Sequence, residues 1–186
     1  MNYELGLYWY KKAAKKYSSV ALCKLGDFYS EGVVVPQNLY EGFRMYKKTI
    51  YRYWNFEAYY KIANCYYNGL GVRKNLKKAA INYRIAAEGN YTEAQFMFGK
   101  CFYLEQGKPK DYEQAYIWFN RAAKEKHPEA LYYLGLCYEL GQGTTKDIAL
   151  ATKLYKEALD SGVSASADRL KALNVDIDIK NEAMEN

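Results

Sequence analysis

Few residues in this 186-residue chain have the types and spacing that chemistry requires. His127 is the sole histidine and stands directly before Pro128, which reads as a turn residue rather than a positioned general base. Gly141-Gln142-Gly143-Thr144-Thr145-Lys146 has the composition of a phosphate loop. It lacks the Walker spacing, however, and follows a helical pattern where a phosphate loop follows a strand, so it reads as a connector. Carboxylates such as Glu4, Asp27, Glu31 and Glu57 are scattered, with no periodicity that brings two together. No nucleophile stands in register with a base. The reading is a non-enzymatic protein with no cofactor and no metal.

The four cysteines support that reading through their spacing. Cys65, Cys101 and Cys137 recur every 36 residues, one per unit, and Cys23 sits elsewhere in its unit. Stacked helices lie about 8–10 Å apart, further than a disulfide tolerates. The thiols therefore read as small buried apolar groups of a reducing compartment. With no CxxC pair and one histidine, zinc is not indicated. No apolar run approaches the roughly 18 residues that span a bilayer. The N-terminus, MNYELGLYWYKKAAKKY, lacks the pattern of a secretory signal, which points to a cytoplasmic location.

Charge is uneven. Asp176, Asp178, Glu182 and Glu185 against Lys180 give the tail −3, so a chain of net +6 carries +9 on the remainder. Lysines pair at Lys11/Lys12, Lys15/Lys16, Lys47/Lys48 and Lys77/Lys78. Such a surface attracts nucleic acid or acidic lipid. The simpler reading, a solvated outer helix face, is preferred.

What positions any functional side chain is a repeat. Ala21, Ala58, Ala94 and Ala130 are separated by 37, 36 and 36 residues, as are Leu25, Ile62, Phe98 and Leu134. Asn2, Asn38, Asn75, Asp111 and Asp147 form a second series, and these residue types cap helix N-termini. Each unit is thus helix A, a Gly- or Pro-containing loop, and helix B. Helix A is expected near 20–30, 57–67, 93–103 and 129–139, and helix B over 39–51, 76–88, 112–125 and 148–160. Gly89 and Gly162 read as helix stops, a task that Lys126-His127-Pro128 takes in the third unit. The cluster Tyr51, Tyr53, Trp54 and Phe56 reads as a repacked turn or a lateral contact.

In the fourth unit Ala130, Leu134, Gly135, Tyr138, Gly141, Gly143, Asp147, Ala151, Tyr155 and Ala158 resemble the Sel-one-like repeat, a relative of the tetratricopeptide repeat. The second unit repeats the pattern from Ala58 to Ala87, with Ala63 where the others have Gly26, Gly99 and Gly135. The first unit lacks the double-glycine loop and has Arg52 at the stop, and the third has Glu105 at the first loop glycine. The resemblance implies an all-α, right-handed superhelix of antiparallel helix pairs that scaffolds protein complexes, with no catalytic residues. Its extent would be 1–173: a half repeat 2–18, repeats near 19–53, 54–90, 91–126 and 127–163, and a capping helix 163–173. Residues 174–186 would form an acidic flexible tail.

In that family helix A lines the concave surface. Its face opposite the core carries Tyr60, Lys61, Asn64, Tyr67, Phe96, Lys100, Tyr103, Tyr132, Leu136 and Glu139. Exposed aromatics beside single charges have the composition of a binding hot spot. Packing of the same rings between neighbouring A helices is the competing reading. A protein or peptide segment held in this groove is the leading function. An inhibitor or immunity-type protein that plugs one cognate enzyme is the alternative within the class. Nucleic-acid binding needs lysines and aromatics on one face, whereas the lysine pairs fall on helix B.

Overall fold

The computed structural model describes residues 3–51 and 54–175. The cap expected at Asn2, the altered stop at Arg52, Tyr53 and the tail beyond 175 lie outside them. Among the described residues there are ten helices and no strand: α1 (Tyr3–Lys15), α2 (Ser19–Glu31), α3 (Leu39–Ile50), α4 (Phe56–Asn68), α5 (Leu76–Glu88), α6 (Thr92–Tyr103), α7 (Tyr112–Lys124), α8 (Pro128–Leu140), α9 (Ile148–Asp160) and α10 (Ala165–Ala172). Even-numbered helices are helix A and odd-numbered ones helix B. The chain divides into two compact units, Met1–Lys110 and Asp111–Asn186. In the first, α2 packs on α3 and α4 on α5; in the second, α8 packs on α9, and α10 on α9.

Seven of the ten helices begin at a side chain that caps them. Asn38, Asn75, Asp111 and Asp147 accept from the amides of Glu41, Lys78, Gln114 and Leu150 at 2.9–3.0 Å. Such a cap is worth about 1 kcal/mol. A second series of caps is not marked by residue type. Ser18, Asn55 and His127 cap helix A at the same step, each accepting from the amide of the repeated alanine: Ala21, Ala58 and Ala130. His127 is therefore a helix cap, not merely a loop residue. Its Nδ1 accepts from the Ala130 amide at 3.3 Å, and Pro128 opens the helix.

Helix ends follow a rule that is conformational more than compositional. After each helix A a residue takes the left-handed backbone: Gly32, Gly69, Glu105, Gly141 and Asn174. After helix B the same is true of Tyr17, Asn90, Lys126 and Gly162. Gly89 does end α5 as its C-cap, but it does not make the left-handed turn. Its φ is −81°, and Asn90 makes the left-handed turn. Gly89 is small for another reason: a Cβ there would overlap the ring of Phe56. Of the remaining cluster, Tyr51 and Trp54 are exposed and Trp54 lies 6.3 Å from the Tyr59 ring.

The core is the repeat made physical. The helix A alanines, Ala21, Ala58, Ala94 and Ala130, are buried, as are Leu25, Ile62, Phe98 and Leu134. Helix B contributes Tyr46, Tyr83, Phe119 and Tyr155. A Cβ on Gly26 would overlap the Tyr46 ring, and one on Gly135 would lie 2.6 Å from the Tyr155 ring. The small residue in helix A is thus the seat for the helix B aromatic.

Candidate functional site

Because those aromatic rings lie against helix A, their hydroxyls emerge on its far face. Each hydroxyl needs an acceptor there, since a buried unpaired hydroxyl costs about 1–3 kcal/mol. Tyr46 donates to Asp27 at 2.9 Å, Tyr83 to Asn64 at 2.5 Å and Tyr155 to Glu139 at 2.6 Å. Burial, the largest influence, raises all three phenol pKa values, and the Asp27 and Glu139 carboxylates add to it for Tyr46 and Tyr155. The third repeat has neither partner: Phe119 lacks the hydroxyl, and Lys100 stands where Asp27 and Asn64 stand in their repeats. In the fourth repeat Leu136 stands at that register, and the acceptor for Tyr155 is Glu139, three residues further on.

In the first unit, Asp27 also receives the Lys61 ammonium at 2.5 Å, and Glu57 lies 3.4 Å from the same nitrogen. Burial opposes the Lys61 charge, but the hydrogen bond and ion pair with Asp27 more than offset it and raise its pKa. The charge of Lys61 is therefore committed between repeats. Tyr60 is partly exposed, and its ring is held 5.1 Å from Tyr91 and 6.0 Å from Tyr83. Tyr67, also partly exposed, lies 6.3 Å from Tyr83 and donates to Gln106 at 2.8 Å. Asn64, Lys100 and Tyr103 retain partial exposure. Phe96 is buried, with the Lys100 ammonium 5.3 Å from its ring.

In the second unit, Tyr132 and Leu136 are partly buried against a cluster of Ala151, Tyr155 and Leu170. Glu139 is 8% exposed, and Arg169 of α10 forms a two-pronged ion pair with it. Phe96 and Glu139 therefore depart from the groove-facing positions expected of them. The physical reason at Glu139 is α10, which stacks as a further helix A and brings a guanidinium with it. The aromatic face keeps both of its sequence-level readings in part: the rings are packed on one side and open on the other.

All four cysteines are free and buried. Burial pushes the thiols of Cys23, Cys101 and Cys137 up to about 12 and that of Cys65 to about 11. Reactive thiolate is thus scarce at neutral pH. With an aromatic disulfide reagent at pH 8, the native protein is expected to release almost no thiol signal in minutes. The unfolded protein is expected to release four equivalents. Rapid native reaction of any one cysteine would contradict the burial.

Among the described residues, no group of three His, Cys, Asp or Glu side chains could hold a metal ion. No helix among them is long and apolar enough to cross a membrane. Gly143 is a contact residue as well as a connector, because a Cβ there would overlap the carbonyl oxygen of Tyr112.

Repeated helical hairpins with cores shared between neighbours define an α-solenoid repeat protein. The Sel1 repeat matches residues 2–18, 19–51, 56–91, 92–127 and 128–163, and the chain belongs to that family. A Sel1 repeat protein from Oxalobacter formigenes is 29% identical, with 90% of this chain and 68% of that one aligned and a TM-score of 0.81. A protective antigen of uropathogenic Escherichia coli strains, displaying an SLR fold, is 25% identical with a TM-score of 0.84. That alignment covers 90% of this chain and 36% of the antigen. An immunity protein from Pseudomonas aeruginosa shares the fold at 22% identity and a TM-score of 0.55, over 87% of this chain and 59% of its own. A search of curated proteins returned no match. Sel1-repeat proteins generally act as protein-interaction scaffolds and are typically non-enzymatic.

Proposed function

We propose that this protein is an interaction scaffold that holds a segment of a partner protein against the far face of helix A, with α4 and α6 as the principal contact. Tyr60, Tyr67 and Tyr103 supply aromatic surface, and Asn64 and Lys100 flank it with polar groups. The observation that carries the reading is the fixation of half-open rings. Tyr60 is braced by Tyr83 and Tyr91, and Tyr67 by Tyr83 and Gln106. Rings already ordered lose little entropy on binding, which is how a few aromatics come to dominate an interface. Tyr132 and Leu136 offer a smaller surface of the same kind in the second unit. The four free, buried thiols support a reducing compartment such as the cytoplasm.

Capture of partners from a lysate of the source organism, quantified by mass spectrometry, tests this. Tyr60→Ala/Tyr67→Ala is expected to lose the specific partner at least tenfold while its far-ultraviolet dichroism remains native. A control, Tyr40→Ala/Tyr51→Ala, alters rings that are 63% and 79% exposed and is expected to retain the partner. Equal capture by all three proteins would refute the assignment.

A further inference from the structure

The loops of the second and third repeats carry an uneven charge. Residues 69–75 and 104–110, with the first turn of α5, hold Arg73, Lys74, Lys77, Lys78, Lys108 and Lys110 against one carboxylate, Glu105. Two contacts bring these cations to one edge of the first unit. The Tyr67 hydroxyl, at the end of α4, donates to Gln106 at 2.8 Å. Gly107 lies so close to the start of α5 that a Cβ there would be 2.9 Å from the Lys77 amide nitrogen. Among the described residues, none of Arg73, Lys74, Lys77, Lys78 and Lys108 forms an ion pair.

Three of them are drawn onto rings of helix A instead. The Lys74 ammonium lies 6.0 Å from the Tyr67 ring, that of Lys78 5.5 Å from Tyr66, and that of Lys108 5.9 Å from Phe102. The same rings also pack on aromatic neighbours: Tyr67 on Tyr83, Tyr66 on Phe43 and Phe102 on Phe98. That leaves little open ring face on which a nucleic-acid base could stack. At the opposite end of the same helices, Glu57 and Glu93 stand in the first turns of α4 and α6. Between the two ends, Asn64 has its Oδ1 taken by the Tyr83 hydroxyl, so it offers a ligand its N–H donors. The helix A face is thus polarised, with carboxylates at one end and cations at the other. A nucleic acid or a lipid surface, anionic throughout, would meet Glu57 and Glu93 as well. A polypeptide can set its carboxylates against the cationic end alone.

We propose that the partner segment held on the helix A face is acidic along one edge. Its aspartate or glutamate side chains meet Lys74 and the neighbouring cations of the loop edge, while its apolar side chains lie over Tyr60 and Tyr67. This rests on the function proposed above for the helix A face and adds the chemistry of its ligand. Lys74 joins the two surfaces, because the ring beneath it, Tyr67, belongs to that face. Aromatic contacts then supply affinity, and the cationic edge selects the partner and fixes its direction.

The test is selection from a phage-displayed library of random peptides, panned against the full chain and read by sequencing. Retained peptides are expected to be severalfold enriched in aspartate and glutamate over the starting library. The best of them, made synthetically, are expected to bind Lys74→Glu/Lys78→Glu at least tenfold more weakly than the wild type. Both lysines are exposed, so native helicity is expected, and Lys74→Gln/Lys78→Gln is expected to fall between the two. Retained peptides without acidic enrichment, or equal affinity for the charge-reversed variant, would overturn the charge assignment and leave the helix A face standing. Acidic peptides that bind Tyr60→Ala/Tyr67→Ala as tightly as the wild type would separate the edge from that face, so the scaffold reading would fall and the acidic preference remain. Retention of no peptide would overturn both. Tighter binding of oligouridine, or of phosphatidylglycerol vesicles, than of the selected peptides would assign the edge to nucleic acid or to lipid. Tighter binding of a synthetic 176–186 peptide would assign it to the chain's own acidic end.

Discussion

Gly71→Ala is expected to destabilise the protein by about 4 kcal/mol, and Gly69→Ala, two positions earlier in the same loop, by only about 1 kcal/mol. Both glycines hold the left-handed backbone, at φ +67° and +80°. What separates them is the space around an added Cβ. At Gly69 the nearest neighbour would be the Lys74 Cβ at 3.4 Å, an ordinary contact. At Gly71 the new carbon would overlap the carbonyl oxygen of Leu39, a backbone atom at the start of α3 in the preceding repeat. Gly107 stands in the same relation to Leu76, and Gly143 to Tyr112. The second loop glycine is therefore a stacking contact between repeats. Glu105, at φ +56° in the place of Gly69, shows that the first position tolerates a side chain. Urea denaturation of the two variants checks this; equal losses would contradict the stacking role. The Gly71 variant is also expected to unfold over a broader transition, because nearest-neighbour coupling holds a solenoid together.

Tyr83→Ala is expected to cost about 3–5 kcal/mol, the range for removing a fully buried aromatic side chain. Tyr83 is 0% exposed, and it braces both Tyr60 and Tyr67 on the opposite side of α4. Its hydroxyl is a smaller matter. Tyr83→Phe leaves Asn64 Oδ1 without its donor, an expected loss of about 1 kcal/mol. Phe119, buried at the same register, shows that a bare ring fills the seat. Thermal melts of both variants, with the Phe variant within a few degrees of wild type and the Ala variant far below it, would bear this out. Comparable melting of all three proteins would mean that the ring seat contributes little.

The helices were legible because their signals are local. Asn38, Asn75, Asp111 and Asp147 announce helix starts by residue type alone, and all four cap as expected. The helix A caps were harder to see because Ser18, Asn55, Tyr91 and His127 share a position but not a chemistry, and Tyr91 makes no side-chain cap bond. At Gly89 the stop is legible but its cause is not: a glycine has two physical uses, a left-handed turn and a close approach, and only the Phe56 ring packed against it separates them. The candidate site was legible as a row of aromatics, not as a surface. Which rings stay open depends on the next helix, and the Glu139–Arg169 pair joins residues 30 apart. One signal did lie in the sequence. Asp27 with Tyr46 and Asn64 with Tyr83 pair an acceptor with a phenol, and the repeat with Phe119 has Lys100 at that register, but Leu136 with Tyr155 breaks the pattern because Glu139 takes the acceptor role.

Hydroxyl-radical footprinting of the protein, alone and with its captured partner, reads the helix A face itself, because tyrosine oxidation reports side-chain exposure. Tyr60, Tyr67 and Tyr103 are expected to become several-fold slower to oxidise in the complex, while the exposed Tyr40 and Tyr51 remain unchanged. Unaltered oxidation of the helix A tyrosines in a fully formed complex would contradict binding at that face.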